Sequence, residues 1–250
     1  MSIILYTILS VIVVSLISLV GAVFLLFRKS ILERITLFLV SLSAGSLFGG
    51  VFLHILPEIA EEKGFTLGMS LLVLAGILLF FVIERIIHWR HCHILTSSNH
   101  PHHLGPMNLI GDAIHNFIDG LTIAASFIAS TSLGLVTTLA IVFHEIPQEI
   151  GDLGVLMHAG FGRKKALFYN FLSALAALGG AVVGLIIGSS TVGFAIWILP
   201  VAAGGFLYIA GSDLIPELHK ACEGRDSISH LIAFALGIAL MLLLRVFGAG

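Results

Sequence analysis

Runs of some twenty apolar residues recur along the whole of this chain, and they assign it to a membrane. Of its 250 residues, 58% are hydrophobic and only 10% charged. A soluble domain of this length needs far more charged surface, whereas a stretch of about 20 apolar residues is long enough to cross a bilayer as one helix. Eight such spans are expected, at about 3–27, 36–57, 66–87, 107–130, 133–158, 166–188, 191–214 and 229–247. The fold class is therefore an all-α integral membrane protein with eight transmembrane helices, built as a single domain over 1–250. The run Ser2–Phe27 lacks a basic leading segment and is too long for a signal-peptide core, so it counts as the first span. Two cysteines, Cys92 and Cys222, are too few for a disulfide framework. A net charge of −2 says little about partners, and no nucleic-acid partner is expected.

Two neighbouring spans break the apolar pattern. The fourth carries Asp112-Ala-Ile-His-Asn-Phe-Ile-Asp-Gly120 and the fifth His144-Glu-Ile-Pro-Gln-Glu-Ile-Gly-Asp152. An ionisable side chain at membrane depth costs roughly 2.5–3.5 kcal/mol on insertion scales, so its presence points to function. Residues three, four and seven apart share a helix face. Asp112, His115, Asn116 and Asp119 therefore form one stripe. His144, Gln148 and Asp152 form another, flanked by Glu145 and Glu149. Two such stripes face to face make a cage of nitrogen and oxygen donors, the set that borderline divalent metals favour. Pro147 removes a backbone donor from the fifth span and is expected to kink it, freeing the carbonyl of Phe143.

Orientation follows from Lys and Arg, which collect on the cytoplasmic side. Ten of the twelve basic residues lie in the odd-numbered connections; the other side has only Lys63 and Arg245. Both termini should lie outside. A repeat is also present. Ala44-Gly45 leads to Leu56-Pro57-Glu58, and Ala203-Gly204 leads to Ile215-Pro216-Glu217, at a constant offset of 159 residues. The two copies run in opposite directions through the membrane. Inverted repeats of this kind are common in secondary transporters, with the substrate site between the halves. The implied plan is 3+2+3, with the polar spans at the centre. His54 and Asp213 occupy equivalent places in the repeat and are expected to serve as stations along a path through the centre.

His115-Asn116-Phe-Ile-Asp119-Gly120 followed by His144-Glu145-Ile-Pro147-Gln148-Glu149-Ile-Gly151-Asp152 resembles the paired signatures of the ZIP (Zrt/Irt-like protein) family of metal transporters. The likeness is to the branch written HNxxDG and HExPHExGD, and it extends to the proline-glutamate ends of the second and seventh spans. The resemblance implies a binuclear site, with His115, Asp119, His144 and Gln148 at a primary metal and Asn116 and Glu145 at its neighbour. Two departures stand out. Gln148 replaces the second histidine of the fifth-span motif. Where some relatives place a glutamate on the sixth span, this one offers only Asn170 and Ser173, so one ion at a time is expected.

The donor set suits transport better than storage, because a transported ion must be stripped of water and yet released. Zn2+ is the first expectation, with Fe2+ second and Cd2+ and Mn2+ also admitted by these donors. The ion and the lipid bilayer are the partners, and no prosthetic group is implied. The loop at about 88–105 holds six of the twelve histidines and is expected on the cytoplasmic side as a metal buffer or sensor. Glu58, Glu61 and Glu62 lie at the opposite face. Gly180, Gly184 and Gly188 recur every four residues, a pattern for close helix packing, inside the chain or at a homodimer interface. The short termini suggest a microbial cytoplasmic membrane. A competing function, an intramembrane zinc hydrolase, would read His144-Glu145 as the start of H-E-x-x-H. Against it, the position four residues on is Gln148 and Pro147 intervenes.

Overall fold

The computed structural model describes residues 2–24, 29–64, 66–89, 104–191, 193–220 and 224–247. The expected cytoplasmic histidine loop, with His91, His93, His100, His102 and His103, lies outside the described residues, as do Cys92 and Cys222.

The described residues form eight helical rods and no strand. Rod α1 is Ile3–Ile17, continued by Val20–Phe24 after a break at Ser18 and Leu19. Rod α2 runs Lys29–Gly50, Val51–Ile55 and Leu56–Lys63 without interruption, and α3 is Leu67–Trp89. The polar segments form α4, Leu104–Ala129, and α5, Thr131–His158. Rod α6 is Arg163–Ala174 followed by Ala176–Ser190; α7 runs Phe194–Tyr208, Ile209–Leu214 and Ile215–Lys220; α8 is Gly224–Phe247. Six stretches are long and apolar enough to cross a membrane, within α1, α2, α3, α6, α7 and α8. Rods α4 and α5 fall short on composition, because they carry the ionisable stripes.

Only Ser130 separates α4 from α5. Its hydroxyl accepts the Leu133 N–H at 3.1 Å and caps the new helix. Immediately before the turn, Phe127 folds back over Gly134, where a Cβ would lie 2.2 Å from its ring. The pair thus forms a hairpin. His115 and His144, fifteen residues before and fourteen after Ser130, fall at the same level. Pro147 sits inside an α5 that runs on from Thr131 to His158.

Glycine fixes the remaining pairings by letting backbones touch. A Cβ on Gly45 would lie 2.1 Å from the Phe234 carbonyl oxygen, and one on Gly237 would lie 2.3 Å from that of Leu42. This seats α2 against α8. The same contact recurs 159 residues on: a Cβ on Gly204 would meet the Val73 carbonyl at 2.0 Å, and one on Gly76 that of Val201. This seats α7 against α3. The glycine stripe of α6 is used inside the chain. Gly180 meets the Phe117 carbonyl, Gly184 the Ala124 side chain and Gly188 the Ile128 side chain, all on α4.

The two repeats share a feature that their sequence pattern does not announce. Proline lacks an N–H, and its ring clashes with the carbonyl four residues back. Ahead of Pro57 the helix widens into a π turn at Val51–Ile55, and Leu56 bonds the Val51 carbonyl five residues behind. Ahead of Pro216 the same widening occupies Ile209–Leu214, and Ile215 bonds the Ala210 carbonyl. Such turns concentrate at functional sites. Here they carry His54 and Asp213.

Candidate metal centre

Four side chains converge at the middle of the α4–α5 hairpin. His115 and Asp119, one turn apart on α4, meet His144 and Glu145 on α5, and one donor atom from each lies within 4.8 Å of all the others. The Nε2 atoms of His115 and His144 are 3.2 Å apart. Asp119 Oδ2 lies 3.1 Å from His144 Nε2 and 3.5 Å from His115 Nε2. Glu145 Oε1 lies 3.7 Å from both nitrogens. A tetrahedral zinc with bonds of about 2.0–2.1 Å has edges of about 3.3–3.4 Å between its ligands. The five measured edges bracket that figure.

The hydrogen bonding also fits a cation. His144 Nδ1 lies 3.3 Å from the Ala140 carbonyl, which can only accept, so a proton on Nδ1 has a partner there in the tautomer that would ligate through Nε2. Nε2 then keeps a lone pair and directs it at the carboxylate of Asp119 and at His115. This arrangement, in which the distal N–H is held by a backbone carbonyl, is the usual way a ligating histidine is oriented. Asp119 Oδ1 and both oxygens of Glu145 are buried with no hydrogen-bond donor. Both residues are fully buried, and among the described residues neither carboxylate is paired with a Lys or Arg. Donorless carboxylate oxygens beside two imidazole nitrogens are the kind of set a divalent cation would satisfy.

A layer of polar side chains lies beside the cage. Asp112 accepts from Asn116 Nδ2 at 2.8 Å and from the Ser173 hydroxyl on α6. Gln148 is the third polar group around that carboxylate, after Ser173 and Asn116. Glu149 accepts from Asn170 on α6, and Asp152 accepts from Asn108 at 2.9 Å. The two helix-six residues are thus bound to carboxylates of α4 and α5. Asn108 was not singled out from the sequence, although it stands four and seven residues ahead of Asp112 and His115 on the same stripe.

A cavity of about 450 Å³ reaches the cage from one side. His115, Asp112, Gln148, Asp152, Glu84 of α3 and Asp213 of α7 are among the residues lining it, and among the described residues that line it none is Lys or Arg. Asp213 therefore belongs to this cavity rather than to the cage. His54, its partner in the repeat, is buried elsewhere, with Nε2 at 2.8 Å from the Met241 carbonyl on α8. Seven residues after His54, about two turns on, Glu61 pairs with Arg245 at 2.9 Å.

Several membrane-capable helices around a buried nitrogen-and-oxygen cage define a multi-pass integral membrane protein. A family model described as ZIP Zinc transporter matches residues 97–245, and the chain belongs to that family. The Zinc transporter ZIP13 of Pongo abelii is 36% identical over 225 residues, covering 84% of this chain and 66% of the relative. The Zinc transporter zipt-7.2 of Caenorhabditis elegans is 40% identical over 145 residues, covering 56% and 31%. The Zinc transporter ZIP10 of Danio rerio is 41% identical over 148 residues, covering 56% and 18%. The chain thus spans just under two thirds of the first relative's length and less than a third of the other two.

Proposed function

We propose that this chain carries divalent transition-metal ions across a membrane, zinc first and iron second, towards the cytosol. The ion is the substrate, held in transit by His115, Asp119, His144 and Glu145. The observation that carries this reading is the convergence of two imidazole nitrogens and two buried carboxylates whose remaining oxygens have no donor. The names of the relatives agree with it. Asn116, Gln148, Asp112, Glu149 and Asp152 form the polar surround, with Gln148 beside Asp112 rather than taking the place of a fifth ligand.

In this reading all eight rods cross the bilayer in a 3+2+3 inverted repeat with both termini outside. Support comes from the paired glycine contacts and paired π turns, which relate α2 and α3 to α7 and α8. It explains why α4 and α5, too polar to qualify alone, sit where the two halves meet. The direction rests on charge. The cavity is lined by Glu84, next to Arg85, and by Asp152 and Asp213, each near a basic connection, and basic connections face the cytosol. Its four lining carboxylates, Glu84, Asp112, Asp152 and Asp213, suit an ion leaving the cage. On the opposite side His54 is tied to α8, and Glu58 with Glu61 can gather cations at the mouth. A cytoplasmic membrane is the setting.

Nothing in the cage supports the hydrolase alternative. The position that would hold its second histidine is Gln148, which lies beside Asp112. The decisive experiment is uptake of radiolabelled Zn2+ into proteoliposomes, competed with Fe2+, Mn2+ and Cd2+. Uptake that depends on His115 and Asp119 is expected; uptake indifferent to both, or none for any of the four ions, would remove the reading.

A further inference from the structure

The two imidazoles of the cage are each backed by an aromatic ring from outside the α4–α5 hairpin. Phe80 of α3 meets His115 edge to face, centroids 6.0 Å apart at 86°. Phe206 of α7 packs on His144 at 5.9 Å and 58°. Both phenylalanines are buried, at 7% and 2% exposure. They arrive there by one device. The Gly76–Gly204 crossing brings the backbones of α3 and α7 together, and Phe80 is one turn beyond Gly76. At that point the next residue of α7 is Gly205, and a Cβ there would lie 2.4 Å from the Phe80 ring. The residue after that is Phe206. Consecutive positions on α7 therefore seat one ring and supply the other.

We propose that Phe80 and Phe206 form an apolar seat that fixes the two imidazoles in the close-set geometry of a four-coordinate ion, and so sets which metals this site accepts. The proposal rests on the reading of His115 and His144 as metal ligands. Its physical basis is freedom of rotation. His144 is held by the Ala140 carbonyl and is 1% exposed, but His115 borders the open cavity, is 14% exposed, and its Nε2 has no partner beyond the cage itself. The Phe80 ring packs edge to face on its imidazole and limits its swing. With that ring in place the nitrogens stay 3.2 Å apart, the spacing of neighbouring corners in a zinc tetrahedron. Without it, His115 can turn outward and cavity water can join the coordination shell. Such an expanded site suits ions that prefer six ligands, Mn2+ among them. Phe80 and Phe206 touch no ion; they are positioning residues.

The test uses the full-length protein in lipid nanodiscs with Co2+ as a visible-absorption probe, followed by Zn2+ and Mn2+ competition. Four-coordinate Co2+ absorbs strongly and six-coordinate Co2+ weakly, so the spectrum reports geometry independently of transport. Wild type is expected to give the strong band. Phe80→Ala should replace it with the weak one and reduce zinc affinity about 10–100-fold, the range found for supports behind metal ligands, with Mn2+ affinity little changed. Phe80→Leu, which refills most of the space, should recover most of the band. Gly205→Ala should act like Phe80→Ala by displacing the ring; if it does not fold, the Phe80 variants still decide. A strong band and wild-type zinc affinity in Phe80→Ala overturn the seat. Binding unchanged in His115→Ala would instead overturn the ligand assignment beneath it, so the two failures are distinct. A purely structural role for Phe80 would lower the melting temperature of the metal-free protein without changing the spectrum, and that result also rejects the proposal.

Discussion

The Nε2 atoms of His115 and His144 stand 3.2 Å apart, delivered from consecutive helices to one point. One of the two can donate to the other, but His144 Nε2 also faces Asp119 Oδ2 at 3.1 Å. With its proton on Nδ1, His144 cannot satisfy that carboxylate. A proton on Nε2 or a metal ion among the three atoms would each settle the contact.

His115→Ala and Asp119→Ala should therefore abolish zinc binding while leaving the protein inserted and folded. Zinc at a hundredfold excess over its Kd should stabilise wild type by about 2.7 kcal/mol and these variants not at all. Removing Asp119 also relieves its repulsion with Glu145, so the metal-free variant should melt no lower than wild type. Thermal unfolding with and without zinc measures both effects. A zinc-dependent rise in Asp119→Ala equal to that of wild type would contradict the assignment.

Gln148→His restores the residue type of the family signature, yet the site should not gain a ligand from it. Gln148 lies beside Asp112, where Ser173 and Asn116 also point. An imidazole there exchanges a compact amide for a ring and disturbs that cluster. Zinc titration at neutral pH should show unchanged or weaker binding. Binding tightened tenfold would place position 148 in the coordination shell.

Glycine substitutions should separate contact from mere helix content. Gly204→Ala drives a methyl into the Val73 carbonyl at 2.0 Å and should cost about 1–3 kcal/mol or more, as overpacking does. Gly154→Ala meets no atom within 4 Å and should be neutral or stabilise α5 by up to about 1 kcal/mol. Denaturation of the two proteins in the same detergent compares them. Equal stabilities would mean that the α3–α7 crossing is not held by this backbone contact.

Arg245→Gln should matter little to stability. The Glu61–Arg245 pair is 2.9 Å long, but its side chains are 69% and 36% exposed, and such pairs contribute about 0–1 kcal/mol. A melting temperature within a few degrees of wild type is the expected outcome. A large drop would assign the pair a clamping role between α2 and α8.

Six of the eight expected spans, and the grouping of His115, Asp119, His144 and Glu145, were legible because each depends on a short period. Apolar runs have a length, and His115 with Asp119 has the four-residue spacing of one helix face. Asn108 lies on that same stripe and was overlooked because an asparagine near a helix start reads as ordinary. The π turns were not legible: Pro57 and Pro216 announce a disturbance, but whether the helix kinks or widens depends on what packs against it. For the same reason Pro147 leaves α5 continuous. The glycine stripe of α6 showed close packing without its partner, since the spacing of Gly180, Gly184 and Gly188 is the same whether α4 or another copy lies opposite. Phe80 could not be found at all, as one phenylalanine among eighteen in an apolar run has no local mark.

The crossed pairing of the halves has a consequence for the order of synthesis. Gly45 waits for Gly237, which lies 192 residues downstream, and at about 5–20 residues per second that interval is roughly 10–40 s. Throughout it, α2 presents to lipid a face shaped for another backbone. Rod α3 waits in the same way for α7. Neither half can be completed before the other has been made, so a ribosome that stalls after α6 leaves α2 and α3 without the helices their glycines fit.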